Sequence, residues 1–333
     1  MATVDDGCAF VADVGGTSAR FLCAPISRPL GDTIDPLVLR CADYESFDAL
    51  LLDALARLEL RSEMSVGVLA AAGPVTGGTI PMVNLPWVVD RGRCGDALRT
   101  SRCVLVNDFE AIAHLVATDL NRHLESVGAG AAVAGGTRVV LGPGTGLGVA
   151  AVTYAESGGA AHVISGEGGN VGFAPGDALE SDLVAALRTR SGRVFVEQLL
   201  SGSGLSTLYE WVRTGRLVGA DEGPSSAEIV ERARKGEVDA RATVDRFLGC
   251  LGAHAGDLAL TFGARGGVML TGGLCDALRW RLNDSPFRER FEAKGRHRSF
   301  VSLIPTSWIS CSYPGLRGAF AHAVAMTAGT TTT

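Results

Sequence analysis

Two stretches of this 333-residue chain repeat one design, and that repeat narrows the possible folds more than any other feature. The apolar run Cys8–Val14 reaches Gly15-Gly16-Thr17 and resumes as Phe21–Ala24. Further on, Arg138–Leu141 reaches Gly142-Pro143-Gly144-Thr145-Gly146 and continues as Leu147–Tyr154. Strand follows the glycine turn both times, so each unit is a β-hairpin. Pro36–Cys41 offers a third strand to the first hairpin and Val163–Ser165 to the second. Around them the pattern predicts a helix over Ser46–Leu60, strands at Val66–Ala71 and Cys103–Val106, and a helix over Phe109–Ala117. The second half adds helices over Asp177–Arg188, Ser226–Arg234 and Ala242–Thr261, a strand over Gly267–Thr271 and a C-terminal helix over Gly315–Thr327. Two half-similar α/β domains facing each other across a cleft follow from this duplication.

Composition agrees with two folded domains. Hydrophobic residues make up 47% and charged residues 20%, which excludes a disordered or collagen-like chain. Thirty basic residues against thirty-six acidic ones, with no basic cluster, argue against a nucleic-acid partner. The longest apolar runs, such as Ser65–Ala72 and Gly146–Val152, are shorter than the ~18–20 residues of a spanning helix. Asp5 and Asp6 stand where a signal peptide would carry positive charge, so a cytoplasmic protein without a membrane partner is expected. Eight cysteines form no C-x-x-C pair and six histidines no H-E-x-x-H, which predicts reduced core thiols and no structural metal. Forty-four glycines, against about 23 at ~7% usage, cluster beside the strands and mark tight turns and close backbone approach.

The two glycine-threonine turns are the first chemical signal. A phosphate needs several backbone N–H groups at close range, and glycine removes the Cβ and permits positive φ. There is no G-x-x-x-x-G-K-[ST], and Gly142–Gly148 does not lead into a helix as G-x-G-x-x-G would. One such hairpin reads as an ordinary turn; two on matched halves point to a nucleotide held between domains. Asp13, before the first turn, is either an Asx turn cap or a carboxylate facing magnesium through water. Asp108 ends a strand and opens a helix, where an N-cap belongs; otherwise it is a carboxylate accepting a hydroxyl proton, with Asn107 beside it. Asn84, Glu167, Asn170 and Glu197 are polar residues in apolar or glycine-rich surroundings. Paired sugar hydroxyls, each donor and acceptor, suit such carboxylates and amides, although each residue alone reads as a surface or capping group.

With these residues the chain resembles the bacterial-type glucokinase family, ATP-dependent hexose kinases of the hexokinase/actin-like fold with two RNase H-like domains. The resemblance runs through Ala12-Asp13-Val14-Gly15-Gly16-Thr17, Ala72-Gly73-Pro74-Val75, Asn84-Leu85-Pro86-Trp87, Asn107-Asp108-Phe109-Glu110 and Leu141–Gly148. It continues through Gly166-Glu167-Gly168-Gly169, Glu197 with Ser201-Gly202, Gly263–Val268, Thr271-Gly272-Gly273-Leu274 and Pro314-Gly315-Leu316. It implies that Ala12–Thr17 and Gly144, Thr145 and Gly146 hold the phosphates of ATP, that Gly272 and Gly273 border the adenosine, and that Asp13 faces Mg²⁺. It also implies that Asp108 is the base for the 6-hydroxyl of glucose and that Asn84, Asn107, Glu167, Asn170 and Glu197 line the sugar. A small domain of residues 1–117 plus 310–333, a large domain of 118–309 and a homodimer are further expectations of the resemblance. The family usually has His where this chain has Asn170, Asn at Ser18 and Thr at Val83, and the first change predicts altered sugar affinity or preference.

Two rivals share the fold. A kinase for another hexose or amino sugar would keep the same residues. A non-catalytic sugar sensor would be expected to lose Asp13, Asp108 or a threonine turn, and all are present. The zinc-bearing kinases of the repressor–open-reading-frame–kinase family carry a cysteine cluster that this sequence lacks.

Overall fold

The computed structural model describes residues 7–118, 120–155, 161–217 and 223–328. In chain order come β1 (Cys8–Val14), β2 (Ser18–Pro25), β3 (Leu37–Arg40), α1 (Phe47–Arg57), β4 (Val66–Ala71), β5 (Thr79–Pro81), β6 (Val88–Asp90), α2 (Arg91–Leu98), β7 (Cys103–Asn107) and α3 (Asp108–Val116). There follow β8 (Leu124–Ser126), β9 (Arg138–Pro143), β10 (Leu147–Tyr154), β11 (Ala161–Gly166), α4 (Ala178–Ser191), α5 (Gly202–Thr214), α6 (Ser226–Arg234) and α7 (Val238–Phe262). The last elements are β12 (Gly267–Leu270), α8 (Gly273–Leu282), α9 (Phe287–Glu292), α10 (Arg298–Val301), β13 (Thr306–Ile309) and α11 (Pro314–Ala328).

These elements form two compact units. The first runs to His123 and is rejoined from Ser310 onward; the second is Leu124–Ile309. The division falls after His123, not after residue 117, because the His123 carbonyl accepts from the N–H (2.8 Å) and hydroxyl (3.1 Å) of Ser310. The sheet of the first unit has strand order β3-β2-β1-β4-β7, and that of the second β11-β10-β9-β12-β13-β8. Each starts as an antiparallel three-stranded meander and adds two parallel strands on the far side of its first strand; β8 then pairs antiparallel at the second sheet's edge. The repeat seen in the two hairpins therefore extends through five strands of each unit.

Side chains alternate across a strand, and in the first unit both faces of the sheet are covered. Phe10, Ala12 and Val14 of β1 join a core with Phe47, Leu50 and Leu51 of α1 and Leu98 of α2. Ala9 and Val11 point the other way and pack with Ala111 of α3 and Leu316, Ala319 and Phe320 of α11. Helix starts follow from local polar groups: Ser46 accepts from the Ala49 N–H and Asp177 from that of Glu180, while Ser225 and Glu228 form a reciprocal capping box. Helices α5, α8, α9 and α10 carry no sequence expectation. Glycines open the first two, and glycine lowers helix propensity by about 1 kcal/mol.

Helices α3 and α11 approach closely. A side chain on Gly318 of α11 would run into the backbone carbonyl of Ala111, an obstacle that cannot swing aside. Gly318→Ala is therefore expected to cost about 1–3 kcal/mol, as overpacked sites do. Urea unfolding would show it as a lowered midpoint; an unchanged midpoint would mean that the two helices have room to part.

The same helices stack His114 on His322, with ring centroids 3.8 Å apart and planes inclined by 26°. Burial, and after it the facing His322, push His114 down to about 4, and burial also lowers His322. In the unfolded chain both titrate near ~6.5. Below that value the unfolded chain binds protons that the folded one refuses, so stability is full above ~6.5 and falls as the pH drops toward 4. The slope is at most about 1.4 kcal/mol per pH unit for each imidazole. A His114→Gln protein should show a shallower loss of stability between pH 7 and 5; a parallel curve would clear the stack of this role.

Candidate active site

Each unit presents one glycine turn with polar groups gathered on it. In the first, Gly15-Gly16-Thr17 joins β1 to β2, closed by Gly15 N–H donating to the Ser18 carbonyl at 3.1 Å. The Thr17 carbonyl accepts from the Cys41 N–H at 2.9 Å, which leaves the threonine side chain exposed. Neither glycine has positive φ. Conformational freedom, expected from the sequence, is thus not why glycine stands here. Room is a reason at Gly16, where a Cβ would lie 3.0 Å from that of Asn84. The exposed Asn84 therefore rests directly on the turn.

Asp13, the last residue but one of β1, lies opposite Arg20 of β2, with Oδ2 and Nη1 3.7 Å apart. Burial pushes its carboxyl above the ordinary range, and Arg20 offsets only part of the rise. A Cβ on Gly315 would come within 2.8 Å of Oδ2, so the first turn of α11 passes close to the carboxylate. A helix start favours negative charge at that place.

At the end of β7 the division of labour between two neighbours differs from the local reading. The N-cap of α3 is Asn107, not Asp108. The Asn107 Oδ1 accepts from Phe109 N–H (2.9 Å) and Glu110 N–H (3.4 Å), the Glu110 carboxylate reaches back to Asn107 N–H, and Nδ2 donates to the Gly73 carbonyl at 3.2 Å. The helix start is thus satisfied without requiring Asp108 as its cap. Asp108 is the first residue of the helix, half-buried, its Oδ1 accepting from Phe109 N–H at 2.9 Å. The Asn107 oxygen is committed to the cap and its amide nitrogen donates to Gly73, so a ligand would be met by that nitrogen's second hydrogen.

In the second unit the turn Gly144-Thr145-Gly146 is closed by Gly144 N–H donating to the Gly146 carbonyl at 2.8 Å. The Glu197 carboxylate lies on it: Oε2 accepts from Leu147 N–H at 2.7 Å, and a Cβ on Gly146 would come within 2.5 Å of that oxygen. Gly169 packs against the same pair, Leu147 and Glu197. The short helical turn Gly168–Asn170 is therefore fixed beside the hairpin, with Glu167 and Asn170 exposed at its ends. The Asn170 carbonyl accepts from Arg193 Nη2 at 3.1 Å.

Beside this hairpin opens a cavity of about 730 Å³ lined by Gly144, Thr145, Ser203, Ser225, Ser226 and Gly273 among others. Three helices begin there: α5 at Gly202, whose N–H donates to the Gly144 carbonyl at 2.9 Å, α6 at Ser226 and α8 at Gly273. Helix N-termini carry unpaired N–H groups and a partial positive charge, which together suit phosphate. Here glycine does need its freedom: Gly272, the cap of α8, has φ 98°, and a Cβ there would meet the Pro143 carbonyl at 2.8 Å. The structure thus joins Gly144, Thr145 and Gly273 in one cavity and adds Ser203, Ser225 and Ser226, which sequence reasoning missed. The capping box Ser225-x-x-Glu228 was the available sign of a helix start.

A glycine turn on each of two matched α/β units, with carboxylates and amides gathered at both, fits a sugar kinase of the hexokinase/actin-like fold. The sequence matches the family described as Glucokinase over residues 10–326, and the chain belongs to that family. It is 37% identical to the glucokinase of Caulobacter vibrioides (strain NA1000 / CB15N) over 323 residues, 96% of each chain. Among solved structures, a glucokinase from an Antarctic psychrotroph has a TM-score of 0.78 at 29% identity, covering 95% of this chain and 98% of that one. The fold is also that of a glucokinase from Balamuthia mandrillaris in complex with glucose, with a TM-score of 0.79 at 20% identity over 98% and 96% of the two chains.

The contact between Gly146 and Glu197 yields a test that separates function from stability. In Gly146→Ala the new methyl meets the far end of a flexible side chain, so the carboxylate can swing away at little cost in folding. The Leu147 hydrogen bond and the turn geometry are then lost, and misplacement on the order of 1 Å costs roughly 10²-fold in turnover. Steady-state kinetics beside a thermal melt would separate the two effects; a cooperative melt near that of the parent with undiminished turnover would remove Glu197 from the site.

Proposed function

We propose that the chain transfers the γ-phosphoryl group of ATP to the 6-hydroxyl of glucose, with Asp108 as the base. The observation that carries this reading is the capping of α3 by Asn107, which places Asp108 one residue further on, just past the end of β7 and bonded to Phe109 N–H, not at the N-cap its position suggests. Phosphoryl transfer asks little covalent chemistry of a protein, so positioning and charge neutralisation dominate. Asp108 orients the attacking oxygen in line and takes its proton as the new P–O bond forms. Asn84 and the Asn107 amide nitrogen, with Glu167, Asn170 and Glu197, bind the sugar hydroxyls. The turns at Gly15-Gly16-Thr17 and Gly144-Thr145-Gly146 donate N–H groups to the phosphates, and Gly272-Gly273 borders the adenosine.

Asp13 fits a hydrated magnesium ion. Burial raises its carboxyl, Arg20 offsets part of the rise, and a second cation would lower it further. The chemistry a magnesium ion would supply there is neutralisation of phosphate charge during transfer. Asp13 would hold the ion through water, because Mg²⁺ dehydrates reluctantly. A homodimer in the cytoplasm belongs to the same reading, and sedimentation equilibrium tests the assembly.

ADP release with Mg-ATP and glucose, mannose, fructose, glucosamine or N-acetylglucosamine tests the activity. Turnover should depend on glucose; turnover on another sugar alone would replace the substrate, and none with any sugar would favour a sensor. Asp108→Asn should bind glucose nearly as the parent does and lose at least about 10²-fold in kcat. Near-parental kcat would take Asp108 out of the mechanism. Asn170→His should change KM for at least one hexose by several-fold; identical constants for every sugar would end its role in specificity.

A further inference from the structure

Between the edge strand β11 and the C-terminal half of α7 lies a second cavity, of about 340 Å³, lined by none of the residues given a role above. Its walls are mainly apolar, with Val149 of β10, Ile164 of β11, Val171, and Leu258 and Phe262 of α7. Ser165, Asp257 and Thr261 are polar lining residues, and so is His254. It lines the cavity at 7% exposure, and its Nε2 is buried without a hydrogen-bond partner.

A buried polar nitrogen left unpaired costs free energy, and most such groups in folded proteins are satisfied. Burial pushes His254 down to about 4, so the ring is neutral at physiological pH and offers one donor and one acceptor nitrogen. A lone water on that nitrogen would leave the apolar wall of Val149, Ile164, Val171, Leu258 and Phe262 uncovered, whereas an apolar molecule with one polar group matches both. Asp257, also on the lining, is already matched by Lys294, whose Nζ donates to Oδ1 at 2.6 Å. The cavity therefore offers an anion no free cation from this pair, and a cation would have to displace Lys294. Its volume lies at the lower end of small-molecule sites.

Gly166, Gly168, Val171 and Gly172 contribute to the lining and flank Glu167 and Asn170 in the chain. The contact is tight: a Cβ on Gly168 would lie 2.6 Å from that of Val149. An occupant thus presses on the segment that carries two of the proposed sugar ligands. We propose that this cavity binds a small uncharged, largely apolar molecule with one hydrogen-bonding group, paired with the His254 imidazole, and that its occupancy alters sugar affinity through the 166–172 segment. The coupling rests on the reading that Glu167 and Asn170 touch the sugar; the binding does not.

Indole is a suitable probe, with 1-methylindole lacking the donor and benzoate bearing a charge. Calorimetric titration of the full chain should show saturable indole binding at least tenfold tighter than either comparison compound. His254→Phe, which keeps a ring and removes the nitrogens, and Ile164→Trp, which fills the cavity from the edge strand, should each weaken it at least tenfold. Both variants are first shown to be folded by circular dichroism. With glucose as substrate, saturating indole should move KM at least twofold in the parent and in neither variant. No saturable binding, or binding indifferent to both substitutions, overturns the site. So does an Ile164→Trp protein whose oligomeric state changes while indole fails to bind the parent, which would make this face a contact with a second copy. Indole binding that leaves KM unmoved overturns the coupling. The calorimetry needs no turnover, so a chain inactive on glucose would refute the function above and leave the cavity still tested.

Discussion

The hydrogen bond from Leu147 N–H to Glu197 Oε2, 2.7 Å long, joins the parts of the second unit on which its chemistry depends. It requires a bare backbone at Gly146 and a close approach at Gly169, so the Gly144-Thr145-Gly146 turn and the Glu167–Asn170 segment are held by one carboxylate. The first unit repeats the arrangement with a neutral group, Asn84 lying on Gly16. In both units a residue proposed to touch the sugar also shapes the turn proposed to touch phosphate. A displacement of either side chain then disturbs two ligands, which makes strongly non-additive effects the expected behaviour of these positions.

The fold was largely legible in the sequence, and for a definite reason. Hairpins around glycine turns combine an apolar run with a fixed interruption, and Val66–Ala71, Leu147–Tyr154 and Ser226–Arg234 emerge with the bounds that the pattern assigns them. Helices that begin on glycine are different. Gly202-Ser203-Gly204 and Gly272-Gly273 look like turns, because propensity there opposes helix and only tertiary contacts overrule it. Gly202 N–H is held by the Gly144 carbonyl, and Gly272 packs on the Pro143 carbonyl. Ser203 escaped notice for the same reason, since it sits on the first of those helix starts; Ser225 and Ser226 begin a helix that the pattern does assign, but nothing local shows that it opens on the cavity. At Asn107 and Asp108 the residue types were visible but not their assignment: both can cap a helix, and the partners Gly73 and Glu110 decide which one does.

The framework beneath the second unit's site is held by charge as well as by apolar packing. Glu180 of α4 is fully buried and accepts from Arg290 (3.0 Å), from the Gly176 N–H (2.6 Å) and from Arg246 (3.0 Å). Burial alone would raise its carboxyl, yet these donors, Arg290 foremost, hold it below the ordinary range. Such a cluster adds little stability over an apolar one of equal volume, but it does not tolerate loss of one partner. It fixes α4 to α7 and α9, and α7 is the helix whose far half carries His254. Glycines 252 and 256 let α7 lie against the carbonyls of Phe287 and Phe291, so the helix is located by backbone contacts that side-chain motion does not relax.

The amide at position 170 follows from its surroundings. Arg193 donates from Nη2 to the Asn170 carbonyl at 3.1 Å, which sets a permanent positive charge beside this residue. An imidazole there could accept a proton only against that charge, and its pairing with a hydroxyl would vary with pH. A carboxamide keeps a donor and an acceptor at every pH and has no charge for the guanidinium to oppose. It is also shorter, so a hydroxyl must come closer or be met through water. Under the proposed sugar role, asparagine is thus compatible with the neighbouring Arg193, and side-chain reach is the property that the exchange from the family's usual histidine alters.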